Sequence, residues 1–307
     1  MEKVIVVIGP TSVGKTKMGV ALAKKFNGEV ISGDSMQIYK QMDIGTAKVT
    51  EEEKEGIIHH CVDILNPDET YSVHDFQQTV RKKITEITQR GHVPIIVGGT
   101  GLYIKAALYD YQFDEMENDH HAINEKYKDY TNEQLHDHLK SIDEESAKIL
   151  HFNNRRRVLR AIEIYETTGK RKSEMLEEQE HICLYDAYFV GLTLPRDVLY
   201  ERINKRVDVM MENGLKEEMD CLYSQGLTRN HQSMKAIGYK EWFDYFEGKC
   251  DLNGVSENIK KHSRQYAKRQ YTWFKNQFDV HWYDVNLENF EQTIEQVTDD
   301  IEKILKV

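Results

Sequence analysis

The sequence predicts an α/β protein in which a parallel sheet with helices on both faces is interrupted by an all-helical insertion. The first hundred residues alternate short apolar runs with helical patterns, which is the rhythm of strand–helix–strand units in a parallel sheet. From about residue 113 the pattern changes to successive polar helices, and an apolar run returns only at residues 187–194. We therefore expect the α/β core in residues 1–111 and 187–307, and the helical insertion in residues 112–186.

The strands of the predicted sheet are short runs of apolar or β-branched residues. The first run, VIVVI, is apolar throughout, which is typical of a parallel strand buried on both faces. The strands are predicted at residues 4–8, 29–32, 61–65, 93–97 and 187–194.

The predicted helices of the core are marked by the residues at their starts. Ser72 and Asp75 have the spacing of a capping box, Pro195 suits the first position of a helix, and Ser256 is the predicted cap of another. The predicted helices run from residue 15 to 26, from 72 to about 89, from 195 to about 214 and from 256 to about 275.

The composition excludes several classes of protein. No apolar run reaches the roughly 18 residues that indicate a membrane span, and the N-terminus leads directly into a strand, so we expect a cytoplasmic protein with no membrane partner. The four cysteines are too irregularly spaced for a zinc site or a redox pair, and we expect reduced thiols. A monomer is the default expectation.

The net charge of -11 is distributed unevenly along the chain. Residues 114–145 carry eleven acids and three bases, whereas residues 155–174 carry seven bases and three acids. Residues 257–275 carry six bases and one acid. Because salt screens charges beyond about 8 Å, such basic segments can bind a polyanion on an acidic protein. Solvated helix faces remain the alternative explanation.

A phosphate-binding loop follows the first strand. Residues 9–16, GPTSVGKT, match the pattern G-x-x-x-x-G-K-[ST] between a predicted strand and a predicted helix. Backbone N–H groups of such a loop surround an oxyanion, the lysine adds a cation, and the hydroxyl of Thr16 can hold Mg²⁺. The predicted phosphate-binding residues are Gly9, Pro10, Thr11, Ser12, Val13, Gly14, Lys15 and Thr16.

This loop makes the predicted core similar to that of P-loop NTPases, but it leaves the substrate open. Taken alone it indicates ATP or another nucleotide, and it suits a nucleotide kinase, an ATPase or an enzyme that releases diphosphate. A nucleotide hydrolase also needs an acid at the end of a neighbouring strand, and the strand at 93–97 ends in GGTG instead.

Asp34 is the acid closest to the predicted loop. It follows the second strand, in GDSMQ, and the carboxyl ends of parallel strands meet at the edge of the sheet where ligands bind. Three roles remain open for it from the residues alone: a ligand in the metal shell, a general base, or a cap of its own loop.

The chain resembles the tRNA dimethylallyltransferases, also called tRNA isopentenyltransferases. The resemblance extends over nearly the whole chain up to about residue 282 and is closest to the bacterial enzymes. It rests on the following segments: GPTSVGKT (9–16), ISGDSMQIYKQMDIGTAK (31–48), YSVHDF (71–76), PIIVGGTGLYI (94–104), NNRRRVLRAIEIYETTG (153–169), LYERINKRVDVMMENGL (199–215), KAIGYKE (235–241) and YAKRQYTWF (266–274).

The resemblance implies a prenyl transfer to RNA. Enzymes of this family move a dimethylallyl group from dimethylallyl diphosphate to the exocyclic amine of the adenosine on the 3′ side of the anticodon, in tRNAs that read codons beginning with U. The phosphate loop would hold the diphosphate, with Mg²⁺ as the expected metal. The helical insertion would clasp the anticodon stem-loop, and the target base would have to flip out of its stack.

The resemblance also implies roles for particular residues. Asp34 corresponds to the essential carboxylate, and Thr16 and Arg206 to further catalytic residues that bind the diphosphate. A surface arginine on an amphipathic helix is the alternative for Arg206. The residues expected to contact tRNA are Asp34, Ser35, Met36, Gln37, Thr100, Arg155, Arg156, Arg157, Arg160, Lys268, Arg269 and Gln270.

The chain departs from the family pattern in two places. Residues 151–154 read HFNN where the family commonly has HPND, which puts the turn before the arginines in doubt, and the segment 111–124 is short. Two other functions agree with part of the sequence. A P-loop small-molecule kinase with a helical lid does not explain the basic segments. A non-catalytic RNA-binding module does not explain Lys15, Thr16 and Asp34.

Overall fold

The structure, a computed structural model, describes residues 1–111, 120–177 and 181–305. The chain divides into two compact units. The first comprises Met1–Tyr109 and Cys183–Val307, and the second comprises Asp110–Ile182. The predicted start of the insertion at residue 112 lies outside the described residues. Its predicted end at residue 186 differs from the observed end of the second unit by four residues, since that unit ends at Ile182.

The first unit contains a six-stranded parallel sheet in the order β3-β2-β4-β1-β5-β6. Because β1 lies between β4 and β5, the strand order reverses beside β1, and the loops after β1 and β4 border the crevice in which open parallel sheets bind ligands. The strands are β1 (Lys3–Ile8), β2 (Gly28–Ser32), β3 (His59–His60), β4 (Val93–Val97), β5 (Asp186–Thr193) and β6 (His281–Asp284).

Helices cover both faces of this sheet and form the second unit. Before the second unit come α1 (Lys15–Lys25), α2 (Glu51–Lys54), α3 (Val73–Gln89) and α4 (Gly101–Leu108). Within it lie α5 (His120–Lys126), α6 (Asn132–Ile142), α7 (Glu144–Ile149), α8 (Arg155–Thr168) and α9 (Lys172–Glu177). After it follow α10 (Arg196–Glu212), α11 (Leu215–Ser224), α12 (Trp242–Phe246), α13 (Leu252–Gln277) and α14 (Phe290–Leu305).

The first strand is buried on both faces, as its apolar run predicts. Val4, Val6 and Ile8 belong to one core cluster, together with side chains of α3, α4 and α13. Ile5 and Val7 belong to the opposite cluster, together with side chains of α1 and α14. The core therefore holds the carboxyl end of β1, where the phosphate loop begins, from both sides of the sheet.

Several predicted elements differ from the structure. The predicted strand 61–65 is wrong: β3 ends at His60, because Cys61 and Asp63 have left-handed φ values of 61° and 55° that an extended strand does not accept. The predicted cap Ser256 lies inside α13, whose cap is Asp251, which accepts a hydrogen bond from the Gly254 N–H at 2.8 Å. The sixth strand and α14 were not predicted.

The second unit has its own hydrophobic core, in which Val158 and Ile162 of α8 cluster with Leu135 and Leu139 of α6. The buried carboxylate of Asp143 accepts hydrogen bonds from the backbone of Ser146 and from Ser173, and so joins α7 to α9. Throughout the described parts of both units, no helix has the length and apolarity needed to cross a membrane.

Candidate active site

The phosphate loop has a backbone that only glycine accepts at two positions. Gly9 has a φ of 145°, and a Cβ there would lie 2.5 Å from the carbonyl oxygen of Leu192 on β5. Gly14 has a φ of 109° and directly precedes α1. The Lys15 Nζ donates a hydrogen bond to the Pro10 carbonyl at 2.8 Å. The loop therefore follows β1 and leads into a helix N-terminus, as the motif predicts.

Asp34 caps the loop that follows β2. Its Oδ1 accepts hydrogen bonds from the N–H of Met36 at 2.8 Å and from that of Gln37 at 3.4 Å. Among the described residues Oδ2 has no hydrogen-bond partner. Oδ1 therefore caps the loop of Asp34, which is one of the three roles that the sequence left open. Oδ2 is available for a ligand.

The loops after β2 and β4 are joined by polar side chains. The Ser35 N–H donates to Thr100 Oγ1 at 3.1 Å, and the Thr100 hydroxyl donates to Ser35 Oγ at 3.3 Å. Gln37 Nε2 donates to the carbonyls of Thr46 and Ala47 at 3.4 and 3.3 Å. Ser35 and Thr100 therefore hold the backbone next to Asp34, and Gln37 holds the backbone at residues 46 and 47.

Two cavities of the first unit share a wall at Asp34. The first, of about 330 Å³, combines Asp34, Tyr266 and Arg269 with apolar side chains of α10 and α13. The second, of about 550 Å³, is bordered by the phosphate loop and Gly98–Gly99. Both cavities are lined by Thr11, Ser12, Asp34, Thr46, Ala47 and Arg206. A ligand in each would therefore meet the other beside Asp34 and Arg206.

The second cavity is strongly basic. Among its described lining residues Asp34 and Glu53 are the acids, against the five cations Lys15, Lys17, Arg202, Lys205 and Arg206. Burial, followed by the Arg206 guanidinium, lowers the pKa of Lys15 to about 7, although the Asp34 carboxylate opposes this shift. Burial also lowers the pKa of Arg206. Because two cations share a poorly solvated space, a polyanion bound there would stabilise both.

The oxygen atoms that line this cavity include groups of the kind that bind Mg²⁺. The described residues contain no group of three or more His, Cys, Asp or Glu side chains arranged as a metal site. Mg²⁺, however, is commonly bound by one or two protein oxygens plus phosphate oxygens and water. The Thr16 hydroxyl and the Asp34 carboxylate both line the cavity and have that chemistry.

Gln270 occupies a position that the sequence did not predict. Its side chain is only 5% exposed; Oε1 accepts from the Thr11 N–H at 3.0 Å, and Nε2 donates to the Gly99 carbonyl at 2.9 Å. Through these two hydrogen bonds Gln270 ties the phosphate loop to the loop after β4, and its contact with tRNA stays a prediction. Lys268 and Arg269, by contrast, are exposed on α13.

Tyr266 is a cavity residue that the sequence analysis missed. It lines the first cavity with Asp34, and its hydroxyl donates to the Gly99 carbonyl at 3.2 Å. Burial and the Asp34 carboxylate raise its pKa to about 12, so the hydroxyl stays protonated. The signal for it was its place in YAKRQYTWF, where aromatic and basic residues alternate.

The four arginines of the second unit that are predicted to contact phosphates separate into two pairs. Arg155 donates to the carbonyls of Tyr130 and Tyr127, each at 2.6 Å, and Arg160 pairs with the buried Glu163 at 2.9 Å. The side chains of Arg156 and Arg157 are exposed and have no hydrogen bond or ion pair with the described residues. The turn 151–154 forms despite its unusual sequence, with the Asn154 N–H donating to the His151 carbonyl at 2.8 Å. Within this unit, two of the four predicted phosphate contacts are thus engaged in holding the fold.

Comparison with known proteins identifies the family of this chain. Residues 37–277 match the model of a family described as IPP transferase. A tRNA dimethylallyltransferase from Bacillus cereus (strain AH187) is 55% identical over 287 residues, covering 92% of this chain and 90% of the relative. A tRNA dimethylallyltransferase from Bacillus anthracis is also 55% identical over 287 residues, and the match covers 92% of this chain and 91% of the relative.

Solved structures show the same similarity. A tRNA delta(2)-isopentenylpyrophosphate transferase from Staphylococcus epidermidis is 47% identical with a TM-score of 0.74, and 99% of each chain is covered. A full-length tRNA isopentenylpyrophosphate transferase from Bacillus halodurans is 44% identical with a TM-score of 0.75, covering 100% of this chain and 99% of the other. A eukaryotic dimethylallyltransferase acting on tRNA is 33% identical with a TM-score of 0.86, covering 99% and 79%. The family match, the relatives and the P-loop sheet agree, and the chain belongs to the IPP transferase family.

Proposed function

We propose that this chain transfers a dimethylallyl group from dimethylallyl diphosphate to the exocyclic amine of the adenosine on the 3′ side of the anticodon. The tRNAs are those that read codons beginning with U, and diphosphate is released. The observation that carries the proposal is the pair of cavities that share Asp34 and Arg206, one basic and bordered by the phosphate loop, the other partly apolar. A tRNA substrate favours the cytoplasm as the compartment, and we keep a monomer as the expected state.

The basic cavity suits the leaving group. As the allylic C–O bond breaks, its electron pair moves to the diphosphate oxygen, and fixed positive groups aimed there lower the barrier. Lys15, Arg206 and the backbone N–H groups of residues 12–16 supply them. A Mg²⁺ ion bound by the Thr16 hydroxyl and the diphosphate would neutralise further negative charge.

Asp34 suits the acceptor amine. The lone pair of an adenine amine is delocalised, so the amine is a poor nucleophile and benefits from orientation and from late removal of its proton. When the nitrogen bonds to the allylic carbon, it must lose one proton. Asp34 Oδ2 is free to accept it, because this oxygen has no hydrogen-bond partner among the described residues. Asp34 can therefore orient the amine and accept its proton.

The tRNA contacts divide between the two units. Arg156 and Arg157 of the second unit, and Lys268 and Arg269 of α13, are exposed cations that suit phosphate oxygens, which position RNA without reading its sequence. We assign the clasp of the anticodon stem-loop to the second unit. Ser35, Met36 and Thr100 would contact the flipped base from beside Asp34.

A direct test is the transfer reaction itself. The protein is mixed with unmodified tRNA, Mg²⁺ and labelled dimethylallyl diphosphate, and label on the RNA is expected. A transcript with guanosine in place of the target adenosine is the control, and it should stay unlabelled. Label on neither RNA, together with phosphate transfer from ATP to a small molecule, would instead support the P-loop kinase, which the family match disfavours.

Removing the two free arginines should weaken tRNA binding. For the double variant Arg156→Ala and Arg157→Ala we expect about a tenfold loss of affinity and a slope of log K against log[salt] reduced by about 2, because two phosphate contacts are lost. Filter binding at salt concentrations from about 50 to about 200 mM measures both the tRNA affinity and the slope of log K against log[salt].

Two single variants serve as controls for that prediction. Lys148→Ala removes an exposed cation of the same unit that is already paired with Glu145 at 2.7 Å, and it should leave the salt slope unchanged. Arg155→Ala should lower the melting temperature, because two carbonyls lose their donor. An unaltered salt slope in the double variant would refute the phosphate contacts.

A further inference from the structure

Residues 43–47 form a loop that borders both cavities. Thr46 and Ala47 line the two cavities, and Gly45 lines the first. The segment lies between β2 and α2 and belongs to no strand or helix, so its position depends on the side chains that bind its backbone. Gln37 binds two of its carbonyls, and the N–H groups of residues 43–45 have a separate partner.

One carboxylate from outside the cavities binds three successive amides of this loop. Glu218 of α11 accepts hydrogen bonds at Oε2 from the N–H groups of Asp43 and Ile44, both at 2.8 Å. Its Oε1 accepts from the Gly45 N–H at 3.1 Å and from the Tyr239 hydroxyl at 2.6 Å. Both oxygens therefore have two donors each, and no lining of either cavity includes Glu218 among the described residues.

The other side of the same loop is bound by residues of the candidate site. Gln37 donates to the carbonyls of Thr46 and Ala47, and Arg206 Nη2 lies 3.5 Å from the Ala47 carbonyl. The loop is thus attached to Glu218 by its N–H groups and to Arg206 by a carbonyl. A shift of its backbone would move the wall against which the Arg206 guanidinium rests.

Close packing makes this arrangement specific. A Cβ on Gly45 would lie 2.5 Å from the ring of Tyr239, so the loop approaches that ring as closely as a glycine allows. Tyr239 is fully buried. Burial, followed by the Glu218 carboxylate, raises the pKa of its phenol well above 10. The phenol therefore stays a donor to Glu218, and ring and carboxylate together define one loop position.

We propose that Glu218 is a positioning residue for the diphosphate cavity: it holds residues 43–47 in the position that places Arg206 toward the leaving group. The identity of the ligand rests on the proposed function. Glu218 itself lines neither cavity, so its removal should act mainly on the binding of dimethylallyl diphosphate and leave tRNA affinity nearly unchanged.

The sharpest variant is Glu218→Gln, which keeps the shape of the side chain. A glutamine has one acceptor oxygen, and its NH₂ would face two donors that a carboxylate oxygen now accepts. We expect the KM for dimethylallyl diphosphate to rise about tenfold, with tRNA Kd within about twofold of the wild type, because a half-buried charged acceptor with four donors is costly to replace. Glu217→Gln, one residue away and exposed, is the matched control and should behave as the wild type.

Graded variants separate positioning from general stability. Glu218→Asp keeps the charge but is one methylene shorter, so it should restore part of the binding lost in Glu218→Gln. Tyr239→Phe removes one of the four donors and should raise KM by about two- to threefold. If Glu218→Gln does not fold, as judged by circular dichroism, Tyr239→Phe decides: an unchanged KM would overturn the proposal.

A binding measurement keeps this inference separate from the proposed reaction. Calorimetric titration with inorganic diphosphate and Mg²⁺ needs no transfer, so it tests Glu218 even if the wild type fails to label tRNA. Weaker diphosphate binding in Glu218→Gln than in Glu217→Gln supports the positioning role. Equal binding in the two variants, or a loss of kcat with an unchanged KM, would contradict it.

Discussion

Replacing Asp34 with asparagine should reduce transfer by about a thousandfold while leaving tRNA binding within about threefold of the wild type. Asparagine keeps an oxygen that can accept from the Met36 and Gln37 N–H groups, so the loop cap that the structure shows for Oδ1 survives. What disappears is the negative charge at Oδ2 and the ability to take a proton from the amine.

Asparagine and alanine together separate the two roles of Asp34. Asp34→Ala removes both the cap and the charge, so its turnover should be at least as low as that of Asp34→Asn and its melting temperature lower. Single-turnover transfer, with the protein in excess over tRNA and with saturating labelled dimethylallyl diphosphate, measures the chemical step. Near wild-type transfer by the asparagine variant would leave loop capping as the only role of Asp34.

The affinity for dimethylallyl diphosphate should fall as the pH rises above about 7. In the free protein, burial and Arg206 hold the pKa of Lys15 at about 7, so at pH 8 to 9 this lysine is largely neutral. A bound polyanion favours the charged form and raises that pKa. Binding above pH 7 must therefore take up a proton, and affinity should decrease by up to tenfold per pH unit, whereas below pH 7 the lysine is already charged and contributes no such dependence.

The matched control for this prediction is Lys15→Met, which removes the titrating amine. We expect it to bind dimethylallyl diphosphate about a hundredfold more weakly at pH 6.5, since a cation facing the diphosphate is lost. Its pH dependence should retain only the ligand's own protonation, and subtracting it isolates the lysine. Calorimetry from pH 6 to 9, in buffers of different ionisation enthalpy, counts the protons. Equal slopes in wild type and variant would exclude Lys15 as the titrating group.

The backbone of the site could be predicted because its signals are local. The apolar run before Gly9 required a buried strand, and a glycine-rich turn ending in Lys15 and Thr16 required a helix N-terminus beside it. The capping box of Ser72 and Asp75 is present in the structure, with both reciprocal hydrogen bonds formed. In each case neighbours within about four residues decide the conformation.

Elements whose signals were weak were predicted less well. The strand predicted at residues 61–65 is wrong because Cys61 and Asp63 have left-handed backbone conformations, which the sequence did not indicate. In the same way, the cap of α13 was expected at Ser256, five residues after the observed cap Asp251.

The sequence by itself determined four of the six strands, the phosphate loop and the presence of an acid at the carboxyl edge of β2. Only the tertiary structure decided which side chains are free to act. Gln270 joins Thr11 to Gly99, from 259 and 171 positions away in the chain, a link that the sequence did not predict. Arg155 and Arg156 are adjacent and chemically identical, yet one binds carbonyls of its own unit and the other faces solvent. Glu218 reaches residues 43–45 from more than 170 positions away. Periodicity and caps are properties of neighbouring residues, whereas the partner of a polar side chain depends on which distant segment the folded core brings to it.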